Sequence, residues 1–311
     1  MTVTTKPMTG RPKRPLSLKN DSVQAVLMLL PMLLGFALFT YGPILYILRF
    51  CLFKANDFKS SYIGFDNFSR LFTRDAAFWD AMLNTVILSF GKLLIEIPLA
   101  MILAILLNKA LRGTGFFRTM LFLPAITSTA IVGLIFSLMF ASFDGIINNI
   151  LQSVGLISRP INWMGNKWTA LEMLGIASIW NNFPINMIYF LMALQSIPKE
   201  IYECAELDGV TPWVRFWKIT LPMIAPIAQV VVLMAIVGSL KVSDLVMAST
   251  NGAPGGKTEV IMTYVFKYFF GYSGRSVEIG YASAMSVVTG IFLAIVSFIY
   301  MRVTSKMNQV Y

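Results

Sequence analysis

The chain has 311 residues, of which 57% are hydrophobic and only 13% charged, with a mean hydropathy of +0.71. Soluble domains carry about 25% charged residues, so this composition excludes an ordinary soluble fold and predicts several passes through a bilayer. The net charge of +10 does not point to nucleic acid, because the lysines and arginines flank apolar runs and gather on no single water-facing groove.

There is no histidine, and the topology argued below places the two cysteines, Cys51 and Cys204, on opposite sides of the membrane. Disulfide frameworks, thiolate or imidazole metal sites, Cys/His nucleophiles and Ser/His/Asp triads are thereby excluded. No catalytic residue, metal or cofactor is expected, although an acid/base role for carboxylates stays formally open.

In chain order, residues 1–22 form a basic tail carrying Lys6, Arg11, Lys13, Arg14 and Lys19 against Asp21. Residues 23–47 are the first apolar stretch. Its Pro31, Gly35, Gly42 and Pro43 are tolerable in a membrane helix with packed neighbours. It is far longer than the apolar region of about 7–15 residues in a signal peptide, and no A-x-A site follows, so it is expected to stay attached.

Further apolar stretches cover 82–106, 117–140, 173–194, 224–246 and 280–301. Each reaches the length of about 20 residues that a bilayer demands. The expectation is an all-α integral membrane protein: a six-helix transmembrane domain over 23–301, followed by a short tail over 302–311 with Arg302 and Lys306.

Lysine and arginine set the orientation. Lys109 and Arg112 between the second and third stretches, and Arg118 at the start of the third, have no acid among them and lie on the same side as both tails. The other side carries Asp57, Asp66, Asp75, Asp80, Asp144, Glu259 and Glu278, so both termini are expected in the cytoplasm.

The segment 199–222, "KEIYECAELDGVTPWVRFWKITLP", breaks that pattern on the cytoplasmic side. It holds Glu200, Glu203, Glu206 and Asp208 against three bases. Its local signals predict two short helices. Ser196 caps the first with Pro198 in its opening turn, Asp208-Gly209 turns the chain, Thr211-Pro212 opens the second, and Pro222 ends it. One reading is an interfacial helix pair with a solvated charged face. The other is a rigid projection that docks to a soluble partner.

The spacing of Glu203, Ala205, Asp208, Gly209, Phe216, Ile219, Leu221 and Pro222 resembles the "EAA…G…I-x-L-P" loop of bacterial ABC importer permeases, with Cys204 where alanine is usual. "YIGFDNF" at 62–68, "TNGAP" at 250–254 and Trp180 through Pro184 resemble further segments of the sugar-importing, MalF-like or UgpA-like branch. The resemblance implies a multi-pass protein of the bacterial cytoplasmic membrane, paired with a second, related permease subunit as a heterodimer. It also implies two cytoplasmic ATPase subunits and an extracytoplasmic binding protein that delivers a sugar or oligosaccharide. Glu203, Ala205, Asp208, Gly209, Ile219 and Pro222 would then form a coupling hairpin between spans four and five.

In related permeases the fourth and fifth spans supply cavity residues. The resemblance therefore nominates Trp180, Asn181, Asn182, Ser239, Lys241 and Asp244 for the cargo, since aromatic faces stack on sugar rings while amides bond hydroxyls. The cation at Lys241 leaves glycerol phosphate, a phosphodiester or an acidic sugar as alternative cargoes. Lys92 and Glu96, four apart, are either a structural pair or part of the pathway. "NGAPGGKT" at 251–258 imitates a phosphate loop, but Asn251 stands where Walker A needs glycine. Energy must therefore come from a partner, or from an ion gradient if the chain is a secondary transporter working alone. A membrane-embedded enzyme using carboxylates is the remaining class.

Overall fold

A computed structural model describes residues 18–56, 60–109 and 113–307. Lys6, Arg11, Lys13, Arg14, Asp57 and Arg112 lie outside the described residues, as do the side chains of Lys19, Asp21 and Lys306. The chain divides into two units between Arg49 and Phe50.

The first unit is helical. Helix α1 (Leu18–Phe36) passes through one π-helical turn (Ala37–Tyr41) into α2 (Gly42–Phe50). In that turn Gly42 N–H donates to Ala37 O, five residues back. Pro43 has no N–H and its ring would clash with the carbonyl four residues earlier. The wider turn shifts the register just before the proline and lets the helix continue.

The second unit opens with a two-stranded antiparallel ribbon, β1 (Phe53–Ala55) on β2 (Ser60–Tyr62), with Phe53 opposite Tyr62. Helix α3 (Asp66–Thr73) follows, and its buried Asn67 donates from Nδ2 to Cys51 O and Phe53 O, both at 2.9 Å. The 33-residue α4 (Ala76–Asn108) is capped by Asp75, whose Oδ1 accepts from Phe78 N at 3.1 Å. Next come α5 (Thr114–Ile126), α6 (Thr129–Met139), α7 (Ile146–Ser153) and the long α8 (Lys167–Gln195). The hairpin comprises α9 (Lys199–Leu207) and α10 (Pro212–Arg215), and a π-helical turn (Phe216–Thr220) leads on to α11 (Leu221–Leu240). The chain closes with α12 (Asp244–Ser249), α13 (Ile261–Phe270) and α14 (Ile279–Met307).

The expectation of six transmembrane helices does not hold. Among the described residues, four helices are long and apolar enough to cross a membrane: Gln24–Phe50, Ala76–Asn108, Pro212–Leu240 and Ile279–Ser305. They become five at most if the pair α5 and α6, bent by 92°, counts as one span. The expected span 117–140 is this bent pair. The chain breaks at Thr127 and Ser128, both extended in ψ, within a run of hydroxyl-bearing residues that compete for the backbone. The expected span 173–194 lies in α8, whose Asn181, Asn182 and Asn186 lower its hydropathy. An averaging window sees neither a bend nor which face of a helix is polar.

Helix α8 is the centre of the packing, lying along α4 and touching α5, α6, α11 and α12. Ala100 and Ala104 of α4 are fully buried in the same cluster as Met187, Phe190 and Leu194 of α8, small residues on one helix admitting large ones from the other. At the bend, Asn181 Nδ2 donates to Pro124 O at 2.8 Å and to Thr127 O at 3.4 Å, partnering carbonyls that the broken helix leaves open.

Two boundaries in the hairpin region also differ from expectation. Ser196 caps the C-terminus of α8, its Oγ donating to Ala193 O, and Pro198 occupies the N-cap of α9. Pro222 does not end a helix, because Leu221 N–H bonds to Phe216 O across the π turn and Pro212–Leu240 continues as one helix. The mechanism matches that at Pro43.

Helix α12 lies against α6 at Gly133, where an added Cβ would meet Ala248 Cβ and Leu245 O at 3.0 Å. Gly133→Val should therefore destabilise the protein by about 1–3 kcal/mol through overpacking, read as a lower unfolding midpoint in detergent. Asn181→Leu should cost about 1–3 kcal/mol by orphaning a buried carbonyl. An unchanged midpoint for Asn181→Leu would remove its role at the bend.

Candidate functional site

A cavity of about 350 Å³ opens between α4, α6, α8 and the end of α11. Ser178, Asn182, Asn186 and Tyr189 line it from α8. They recur at four, four and three residues, which is one helical face. Ser239 lines it from α11. Lys241 and Asp244 follow where that helix has already ended, Lys241 as its C-cap and Asp244 as the first residue of α12. Thus Lys241 and Asp244 do not sit within the expected stretch 224–246 as helical neighbours; they border a break in it. Both are exposed.

On the α4 side, Lys92 and Glu96 line the same cavity and are almost fully buried. Lys92 Nζ lies 3.3 Å from Glu96 Oε2 and donates to Ser178 Oγ at 2.9 Å. Asn186 Nδ2 donates to Glu96 Oε1 at 2.6 Å, and Asn182 Nδ2 donates to Ser178 O and Oγ at 2.9 and 3.2 Å. The pair is therefore joined to α8 at both ends and faces the cavity as well. Structural and pathway readings of Lys92 and Glu96 are not exclusive.

Of the six residues nominated for cargo, Asn181, Asn182, Ser239, Lys241 and Asp244 line this one cavity. Trp180 does not, and its ring lies 5.7 Å from that of Phe136. The aromatic residue on the wall is Tyr189. Neither it nor Asn186 was nominated from sequence, yet the helical spacing from Asn182 carries the signal for both.

The hairpin is built by local rules. Gly209 has φ +69°, and Gly209 N–H donates to Glu206 O and Val210 N–H to Ala205 O, both at 3.0 Å. This pair of bonds is a Schellman closure, for which glycine is favoured because it has no Cβ. Arg215 donates to Glu206 at 2.7 Å and lies over the Tyr202 ring, while Tyr202 Oη and Thr220 Oγ1 are 3.2 Å apart. Ala205 is buried beneath the turn, Ile219 and Pro222 are partly buried, and Glu203, Asp208 and Gly209 are exposed. Leu207 beside the turn is 88% exposed.

The segment 251–258 follows α12 as a turn-rich loop that bonds within itself, back to α12, and to α4 and α13. Asn84 of α4 donates to Lys257 O and Glu259 O at 2.8 and 2.9 Å. Glu259, an outer-loop acid by sequence, is buried and accepts from the buried Lys267 at 2.7 Å, and Lys267 also donates to Asn251 O at 2.9 Å. Asp75 accepts from Tyr264 Oη at 2.7 Å and from Tyr281 Oη. Burial first, then the bond to Asp75, pushes the Tyr264 hydroxyl well above the usual tyrosine range, so it remains a donor. Apart from those of Lys267, these locking contacts join residues far apart in the chain, and no local pattern announces them.

Residues 96–309 match the family described as binding-protein-dependent transport system inner membrane component. The chain is 35% identical over 280 residues to the lactose transport system permease protein LacF of Rhizobium radiobacter, covering 89% of this chain and 92% of that one. It is 31% identical to the arabinooligosaccharides transport system permease protein AraP of Bacillus subtilis, covering 89% and 87%. The trehalose/maltose transport system permease protein MalF of Thermococcus litoralis is 30% identical, with 89% and 92% covered. The fold superposes with a TM-score of 0.80 and 25% identity on a chain of a bacterial ABC transporter involved in the import of the acidic polysaccharide alginate, covering 93% of this chain and 97% of that one. The chain belongs to the inner-membrane-component family of binding-protein-dependent transport systems, and it is a multi-pass, non-catalytic permease subunit of an ABC importer.

Proposed function

We propose that the importer carries a sugar or oligosaccharide, and that this chain pairs with a second, related permease as a heterodimer above two ATPase subunits. The binding protein delivers the cargo from outside, and both termini lie in the cytoplasm. The relatives named for lactose, arabinooligosaccharides and trehalose/maltose support the cargo class. The lysine and arginine bias of the short loop and tails supports the orientation.

The observation that carries the mechanism is the hairpin's continuity with the cavity. From the Schellman turn the chain enters the single helix Pro212–Leu240, whose far end places Ser239 on the cavity wall. At about 1.5 Å per residue this rod is about 43 Å long. A push on the hairpin therefore displaces the cavity wall directly. Glu203, Asp208, Gly209 and the apolar Leu207 make the docking surface. Ala205, Ile219 and Pro222 shape it from beneath. Asn182, Ser239, Lys241 and Asp244 face the cargo, with Asn181 holding the bend beside them.

Gly209→Val puts a β-branched side chain at positive φ and must reshape the turn. It is expected to lose the ATPase on co-purification and to abolish transport. Glu203→Gln keeps the shape and removes one exposed charge, so it should cost about 0–1 kcal/mol of docking. Full ATPase retention with normal transport in Gly209→Val would overturn the coupling role of this hairpin.

A further inference from the structure

The two halves of the hairpin carry opposite chemistry. Helix α9 holds Glu200, Glu203 and Glu206 against Lys199, whereas no acid occurs from Gly209 to Ser243. At the start of the second half Trp213 and Trp217 are 71% and 50% exposed, their rings edge to face with centroids 5.7 Å apart. Lys218 beside them is exposed and has no ion-pair partner among the described residues. The indole N–H groups of Trp79 and Trp163 donate to Leu71 O and Asn148 Oδ1. Those of Trp213 and Trp217 meet no acceptor among the described residues.

Helix length and exposure pattern identify what covers them. At about 1.5 Å per residue, Pro212–Leu240 is about 43 Å long. That exceeds the about 30 Å of hydrocarbon in a bilayer and matches the about 40–45 Å that includes both headgroup layers. Lys218 is the last charged residue of this helix, and every exposed residue beyond it is apolar: Met223, Pro226, Ile227, Val230, Met234 and Gly238. The border between charged and apolar surface therefore falls at Trp217 and Lys218. A headgroup layer gives an indole ring an apolar floor, and it gives the indole N–H and a lysine ammonium phosphate and ester oxygens. An ATPase surface would also hold an exposed aromatic pair, but the pair would then have no reason to mark the end of the apolar surface. We propose that Trp213, Trp217 and Lys218 are an anchor seated among phospholipid headgroups. Under the coupling reading above, the hairpin is then gripped from two sides, by the ATPase on α9 and by lipid at the start of the long helix.

The test uses the complete importer in phospholipid nanodiscs, with this chain alone carrying fluorotryptophan. Trp213→Phe and Trp217→Phe assign the two fluorine NMR resonances. A phospholipid spin-labelled on its headgroup is expected to broaden both resonances to loss, with the ATPase bound or stripped away. A phospholipid labelled at the end of its acyl chain is expected to broaden them less. The double variant Trp213→Ala with Trp217→Ala is expected to keep both the sister permease and the ATPase on co-purification, since the acidic face of α9 is untouched.

Loss of both resonances to a water-soluble paramagnetic chelate, with no effect of either labelled lipid, would place the pair in water and overturn the inference. Shielding from that chelate only when the ATPase is bound would make the pair an ATPase contact and overturn it equally. So would a double variant that keeps the sister permease and loses the ATPase. The lipid readout does not use the ATPase, so a wild-type importer that retained none would overturn the coupling reading while the anchor is still decided by the broadening.

Discussion

The structure depends on one constraint: the polar groups of α8 must find partners in the interior that the helix packs into. A buried amide without a partner is costly, and α8 carries Asn181, Asn182 and Asn186 at its middle. Each has a distinct solution. Asn181 turns to the broken backbone between α5 and α6, Asn186 reaches the Glu96 carboxylate of α4, and Asn182 bonds back onto Ser178 of its own helix. Two of the three bonds hold other helices against α8, and the third helps shape the cavity. Packing and cavity are therefore made from the same residues.

The second element is the helix that joins the hairpin to the cavity. Proline inside a helix usually breaks or kinks it, and the sequence reading placed a helix end at Pro222 for that reason. The π turn at Phe216–Thr220 removes the conflict, so the hairpin and the cavity wall share one continuous helix. The same device precedes Pro43. Membrane helices that keep both their prolines and their length can transmit displacement without a flexible joint at the proline.

Much of the hairpin was legible because its determinants are local: Gly209 after Asp208, Thr211 before Pro212, and the spaced motif running to Pro222. The cavity wall was partly legible. Polar residues in apolar runs stood out, but which way each one turned did not. Asn181 and Asn182 are adjacent and equal in composition, yet a helix sends them about 100° apart, one to the carbonyls of the bend and one back onto Ser178. Trp180 reads as a stacking platform and instead packs on Phe136. The count of spans failed for a related reason. Hydropathy marks where apolar residues are, not where the backbone bends at Thr127, nor that α8 carries a polar face. The ties of Asp75 to Tyr264 and Tyr281 were not legible at all, because they depend on contacts between distant segments.

The central claim is that the hairpin meets the ATPase and moves the cavity wall. Cys204 is exposed on α9, one residue from Glu203 and five from Gly209, and offers a native probe. With Cys51 replaced, disulfide trapping against a cysteine scan of the ATPase surface in the assembled importer tests the claim most directly. The account predicts a cross-link from Cys204 to a groove on the ATPase, with a yield that changes between the nucleotide-free and ATP-bound states. Cross-linking of Cys204 to the binding protein, or to no ATPase position in either state, would contradict it.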